Sequence, residues 1–440
     1  MRLAGWGRFP VRDCREATPR TLDDLRRLLG EGPLIARGAG RAYGDSALNE
    51  SCTVSMRRFD RMLAFDEKKG VLACEAGVML ADVLDVLVPR GFFPSVTPGT
   101  RFVTVGGMVA ADVHGKNHHV AGSFGAHLRW IDVMTGEAEV VRCAPEEEAE
   151  LYRHTVGGMG LTGIVLRAAF ELVPVETAYL VQETVPAADL DEALAAFEAS
   201  GRWTYSVAWI DCQAGGGQLG RSLLYRAEHA KLDDLPPRLR DRPLRPPARG
   251  TVTVPLDLPS WALNRWSLRA FNERYYAKGR RAAGRRVVDY ETFFYPLDAI
   301  GGWNRLYGRR GLAQYQCVLP RAGSRDGLAA MLETVGRAGQ GSPLAVLKLF
   351  GPGDGVLSFP AEGYTLALDF PVRPATLALM DRLDAIVAAH GGHLYLAKDA
   401  RMPESVFRKT QPNLEDFAAF RREAGADRHF ASVQSRRLGL

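Results

Sequence analysis

Residues 98–128 read PGTRFVTVGGMVAADVHGKNHHVAGSFGAHL, a window that holds six glycines, Pro98, four histidines and Lys116. Glycine allows positive φ and lets main chain approach a ligand where a Cβ would intervene, so N–H groups in such turns can close on an anion. So many glycines beside titratable side chains point to a cradle for an anionic or electron-rich partner rather than to plain turns. Two further glycine segments flank the window, RGAGRAYGD at 37–45 and TVGGMGLTG at 155–163.

The first of these mimics a dinucleotide fingerprint, since PLIA runs into Gly38, Gly40 and Gly44. The spacing is G-x-G-x-x-x-G, and DSALNESCTVSM follows as a loop and strand, without the helix a Rossmann site needs. In the opening window, Gly106 and Gly107 precede good helix formers, so a helix start there is expected to turn free N–H groups toward an anion. His114 and His118 stand at an i, i+4 spacing, but the spacer GKN is turn-forming and carries a lysine. With no carboxylate or cysteine close by, no metal is expected.

The chain has 440 residues, 46% hydrophobic and 24% charged, with net charge +5, an ordinary globular composition at a length that calls for two domains. No apolar run is long enough to span a bilayer, and the N-terminus meets charge before a signal-peptide core forms, so neither a secreted nor an integral protein is expected. Cys14, Cys52, Cys74, Cys143, Cys212 and Cys317 form no C-x-x-C pair and read as reduced thiols. Residues 265–286 carry eight Lys or Arg against the single acid Glu273. The run reads as a solvated face or as attraction to phosphate or an anionic membrane surface. With too few interleaved aromatics, it is not read as a nucleic-acid site.

From 33 to 77 short strands alternate with turns. A helix follows in which Leu80, Val83, Leu84 and Leu87 share one face. An acid-started helix, PEEEAELYRHTVGG, precedes the long strand GIVLRAAFELVPV. Beyond 177 a strand, helix, strand theme occurs twice, which predicts one antiparallel-rich sheet with helices on one face. Residues 226–286, rich in Pro and Arg between the two copies, are expected to be the least ordered part. The reading is α+β with two domains: 1–176, 177–392, and a C-terminal return of 393–440 to the first.

RGAGRAYGD, the opening window, TVGGMGLTGIV, FYPLDAIGGWNRLYG, LAQYQCVLP, LKLFGP and LYLAKDAR together resemble, in order and along nearly the whole chain, the decaprenylphosphoryl-β-D-ribose 2'-oxidase family. That family lies within the vanillyl-alcohol-oxidase superfamily of PCMH-type FAD enzymes. The resemblance implies an FAD-binding domain from the first and last parts, capped by a substrate domain with an antiparallel sheet. The implied FAD contacts in the first segment are Arg37, Gly38, Ala39, Gly40, Arg41, Tyr43 and Gly44. In the opening window they are Pro98, Gly99, Thr100, Val105, Gly106, Gly107, Ala111, His114, Gly115, Asn117, His118 and Ser123. Gly163 and Ile164 complete the set. The first loop offers no histidine and the second no cysteine for a flavin bond, so FAD is expected to be dissociable.

The same resemblance implies that Lys398, His114 and Tyr43 are catalytic, Lys398 polarising the flavin or assisting loss of the hydroxyl proton. Burial beside another cation would lower its pKa toward neutrality. Substrate is implied to meet Lys116, Trp209, Gln314, Gln316, Lys348, Phe350, Thr365 and Ala367. Gln314 and Gln316 alternate on a strand and so face one side. Where family members carry a cysteine this sequence has Ala367, and Thr365 replaces the usual asparagine. Pocket shape is therefore expected to differ, and an inhibitor that needs the thiol is expected to form no adduct. The implied reaction is oxidation of a polyprenyl-phosphoryl ribose to its 2'-keto form, the first half of an epimerisation that a partner reductase finishes. The expected location is cytoplasmic, with peripheral contact at the inner membrane face. A soluble aldonolactone or alditol oxidase of the same superfamily is the alternative.

Overall fold

A computed structural model of the chain describes residues 1–247, 250–259, 263–353 and 355–440. The glycine segments hang on two small sheets. A parallel three-stranded sheet sets Thr53–Ser55 between Glu16–Ala17 and Ile35–Arg37. A six-stranded antiparallel sheet runs Val140–Cys143, Leu128–Met134, Ile164–Pro174, Val71–Glu75, Met62–Asp66, with Phe92–Pro94 on the far end of the long strand.

The helix Leu80–Leu87 buries Leu80, Val83, Leu84 and Leu87 against this sheet, as the 3.6-residue spacing requires. The acid-started helix begins only at Ala149, because Glu148 takes a left-handed φ of 49° and the preceding acids stay outside it.

The second half is an eight-stranded, wholly antiparallel sheet. Its order is Gly284–Asp289, Tyr179–Ala187, Ser222–His229, Tyr205–Ile210, Ala345–Phe350, Gly363–Pro371, Leu312–Pro320, His393–Leu394. Strand alternation divides its side chains cleanly. Tyr315, Cys317, Leu319, Leu347, Leu366, Leu368 and Phe370 face the helices Leu190–Glu198, Ser324–Ala338 and Pro374–Ala389 in one apolar core. Gln314, Gln316, Lys348, Thr365, Ala367 and Asp369 occupy the opposite face.

His393 and Leu394, where the return to the first domain is expected to begin, pair with Val318 and Cys317, and the chain leaves this sheet beyond them. It then returns to the first half, where Leu34 bridges Phe430, and Ala426 and Phe430 join the core around the helix Leu22–Gly30. Much of the 226–286 segment, expected to be the least ordered part, is regular. Arg265–Arg281 form one helix capped by Asn264, and Gly284–Asp289 extend the large sheet. Of that segment, 248–249 and 260–262 lie outside the described residues.

Candidate active site

The first glycine segment leaves the strand Ile35–Arg37 and turns back at Gly40, φ 65°. Arg37 folds over its own turn, donating to Ala4 O at 2.8 Å, and Arg41 lies over the Trp6 ring at 4.1 Å. Among the described residues the N–H groups of Gly38 to Ala42 enter no hydrogen bond, so this turn offers a run of free donors. A Cβ on Gly38 would stand 2.0 Å from Thr104 Oγ1 in the second segment. The two glycine walls are therefore in direct contact.

The helix expected after Val105 exists, at Val105–Ala110, but its N-terminus is not the free anion site the sequence implied. Val105 N donates to Val78 O at 2.9 Å, Gly106 N to Ala76 O at 2.7 Å and Gly107 N to Thr104 Oγ1 at 3.3 Å. Gly106 is glycine because a Cβ there would lie 2.7 Å from that of Ala76. Val105 and Ile164 bury their side chains in separate cores, and Gly163 presses on Val133, so all three can offer a ligand main chain only. Gly99, between Pro98 and Thr100, faces open space, while Thr100 Oγ1 donates to Asp298 at 2.7 Å.

His114 and His118 reach the large sheet, whereas His127 turns back to Ala121 O at 2.8 Å. Gln316 Nε2 stands 3.1 Å from His114 Nε2 and donates to Thr365 Oγ1 at 3.2 Å. Gly351 N donates to His118 Nδ1 at 3.2 Å. Phe350 packs on both rings, at 4.8 Å from His114 and 4.5 Å from His118. Burial, then Lys348 and His118, hold His114 well below its ordinary value, so it is a neutral imidazole. Tyr395 OH donates to Ala111 O at 3.0 Å, Asn117 Nδ2 to Ser95 O at 2.8 Å, and Ser123 supports the buried Asp112.

Three partly exposed lysines lie near one another, Lys348 close enough to act on both Lys116 and Lys398. Lys116 donates to Phe293 O, and burial pushes it down to about 7; Lys348 falls to about 8 for the same reason. Lys398 Nζ lies 3.9 Å from the Tyr43 ring centroid. Burial drives it down to about 7, opposed by Asp369 and reinforced by Lys348.

Asp369 escaped the sequence reading. It is buried, accepts from Gln314 Nε2 at 2.5 Å and from Tyr307 OH at 3.4 Å, and burial raises it to about 6. A signal was present: a lone acid in the apolar strand YTLALDFPV, two residues past Ala367 and therefore on its face. Gln314, Gln316, Thr365, Ala367 and Lys348 share this face, with Trp209 one strand beyond, opposite Val346.

These features suit FAD. A phosphate can meet the free N–H groups of 38–42. Buried polar atoms without a partner among the described residues, His114 Nδ1, Asn117 Oδ1 and His118 Nε2, ring the place where the opening window meets the sheet.

Residues 17–144 match the family described as FAD binding domain. The chain is 37% identical to the decaprenylphosphoryl-β-D-ribose oxidase of Mycolicibacterium smegmatis, over 100% of this chain and 97% of that protein. It is 37% identical to an uncharacterized protein from the mprA 5' region of Streptomyces coelicolor, over 82% of this chain and 100% of that one. A fainter likeness, 26% over 40% of each, reaches the L-gulonolactone oxidase of Bos taurus.

Proposed function

The chain belongs to the decaprenylphosphoryl-β-D-ribose oxidase family of FAD-dependent oxidoreductases, and from that premise we propose that it oxidises the 2'-hydroxyl of a polyprenyl-phosphoryl-β-D-ribose to the 2'-keto sugar. The product is the first half of an epimerisation to the arabinose form for cell-envelope glycan, completed by a separate reductase. We assign flavin binding to residues 1–176 with the C-terminal return, and substrate binding to the large sheet.

Bound FAD supplies the acceptor for the hydride that leaves the substrate carbon. The chain's own part is to orient the sugar and take its hydroxyl proton. Lys398 Nζ, held near neutrality by burial and poised over Tyr43, is the acceptor of that proton. Asp369 sets how readily it does so, because its negative charge favours the ammonium form. Gln316, fixed between His114 and Thr365, and Gln314, fixed by Asp369, present hydrogen-bonding groups to the furanose. Lys348 meets the phosphate. The observation that carries this reading is the Lys398–Tyr43 contact, set beside Gln314, Gln316, Lys348, Thr365 and Asp369 on one face of strands whose other face is an apolar core.

Among the described residues no helix is long and apolar enough to cross a membrane. We place contact with the lipid-borne substrate at a cytoplasmic membrane face, through the basic helix Arg265–Arg281, whose Lys and Arg residues would meet anionic headgroups.

The test is anaerobic titration of the FAD-loaded protein with polyprenyl-phosphoryl ribose, free pentitols and aldonolactones. The flavin band should bleach with the first. Bleaching with the free sugars alone would replace this reading with an aldonolactone or alditol oxidase.

A further inference from the structure

We propose that Trp209, Tyr275 and Phe271 form an aromatic track that seats the isoprenoid chain of the substrate as it leaves the site; the inference rests on the polyprenyl-phosphoryl reading above. Trp209 is buried on the polar face of the large sheet, and its ring lies 4.8 Å from Tyr275. Tyr275 in turn stacks on Phe271 at 5.8 Å and 27°. Tyr275 and Phe271 are 36% and 46% exposed, on a helix whose other outward residues are mostly charged. The exposed parts of the two rings make a small apolar strip on a charged helix face.

Tyr275 OH shares a 3.1 Å hydrogen bond with Tyr225 OH on the sheet, but most of the helix's anchors are groups other than these rings. Asn272 Nδ2 donates to Asp211 Oδ1 at 2.6 Å, and Arg221 bridges Asp211 and Glu273 at 2.7 and 2.8 Å. Gly279 sits so close to Leu223 that a Cβ would stand 2.1 Å from Leu223 Cδ1. These anchors fix the track and leave its outer side open to a ligand.

Order across the sheet supplies the occupant. Gln316 pairs with Ala367, Ala367 with Val346 beside Lys348, and Val346 with Trp209, at about 5 Å per strand. Sugar-binding amide, phosphate-binding cation and aromatic track thus follow one another as ribose, phosphate and prenyl do in the substrate. At the junction Trp209 Nε1–H is buried without a partner among the described residues, a donor for a phosphate oxygen.

The experiment compares ribose carrying a decaprenyl-phosphoryl chain with ribose carrying a three-isoprene chain, both in detergent, on wild type, Phe271→Ser, Tyr275→Ser and the double variant. Flavin content and circular dichroism serve as checks of folding. Wild type should show a lower KM for the long chain, and this preference should collapse about tenfold in the double variant and in part in Phe271→Ser, with little change in kcat. A double variant that keeps the wild-type preference overturns the track. So does an effect of Phe271→Ser and of the double variant that appears only with substrate in anionic vesicles and that Trp266→Ala, at a ring 75% exposed near the helix start, reproduces, since that marks bilayer docking instead. Oxidation of neither substrate by wild type would remove the polyprenyl reading, and the track with it.

Discussion

Lys398 Nζ stands 3.9 Å from the centre of the Tyr43 ring, joining the C-terminal return to the first glycine turn. The contact is built by main chain: Tyr43 N donates to Ala397 O at 2.9 Å, and Gly44 touches the backbone of Asp399 and Ala400.

A lysine that must be neutral to accept a proton gives flavin reduction an acid limb. With Lys398 pushed down to about 7, the rate of reduction by substrate should rise with pH through neutrality. Lys398→Met should keep FAD and lose the reaction. Asp369→Asn removes the charge that favours the ammonium form, so the limb should move to lower pH by about one unit. Stopped-flow reduction against pH checks both, and a limb unmoved in Asp369→Asn would exclude Asp369 from control of Lys398.

Gly44→Ala should act on chemistry more than on cofactor affinity. Its Cβ would lie 1.9 Å from Asp399 O and 2.8 Å from Ala400 Cα, main-chain atoms that cannot rotate aside. Overpacking of this kind costs about 1–3 kcal/mol and here pushes the Lys398 loop off Tyr43. A variant with wild-type reduction rate and melting temperature would refute the close contact.

The acidified protein should release its flavin. Arg41 and Tyr43 occupy the first loop, and every cysteine is buried and none is among the site residues described above. Acid precipitation should leave the yellow chromophore in the supernatant. Colour retained in the pellet would mean a covalent bond.

Much of this site could be read from the sequence wherever a local period or motif carried it. Leu80, Val83, Leu84 and Leu87 formed the expected buried stripe, and the alternation through Gln314 and Gln316 placed both on the polar face. Pairings between distant residues carried no such local mark. The N–H groups of Val105 and Gly106 are spent on Val78 and Ala76, which the glycine motif does not reveal. The helix 265–281 shows little apolar periodicity, burying only Leu268 and Asn272, because its anchors are Asp211 and Arg221 on the sheet. Composition therefore resembled a loose basic segment.

Arg437 is another such long-range element. It donates to Asp45 at 2.7 Å and to Asp399 at 2.9 Å, both carboxylates being buried, and so locks the residues next to Gly44 and Lys398 together. Arg437→Met would leave two buried carboxylates facing each other without a cation, which should cost about 3–5 kcal/mol in urea denaturation. Adding Asp45→Asn should recover part of the loss. A single-variant cost below about 1 kcal/mol would place the arginine among ordinary surface ion pairs.

The apoprotein should grow more stable between pH 7 and about 9. Lys116 and Lys398 lie at about 7 and Lys348 at about 8 in the folded chain, against an ordinary 10.5. Across that window the unfolded chain binds more protons than the folded one, so raising the pH favours folding. Below pH 7 the contributions oppose one another. Histidines such as His118, held down to about 4, weaken the fold as pH falls, whereas Asp369 and Asp384, raised to about 6 and about 7, strengthen it. Above about 9 the unfolded thiols ionise first. Cys74, Cys143, Cys212 and Cys317 are held up at about 12, so the trend reverses. Thermal melts of the apoprotein at constant ionic strength should therefore climb from pH 7 to a maximum near 9, and Lys348→Met should flatten the climb. A wild-type profile that is flat or falling over this range would show that the three lysines are ordinary solvated cations, and the role assigned to Lys398 would fall with it.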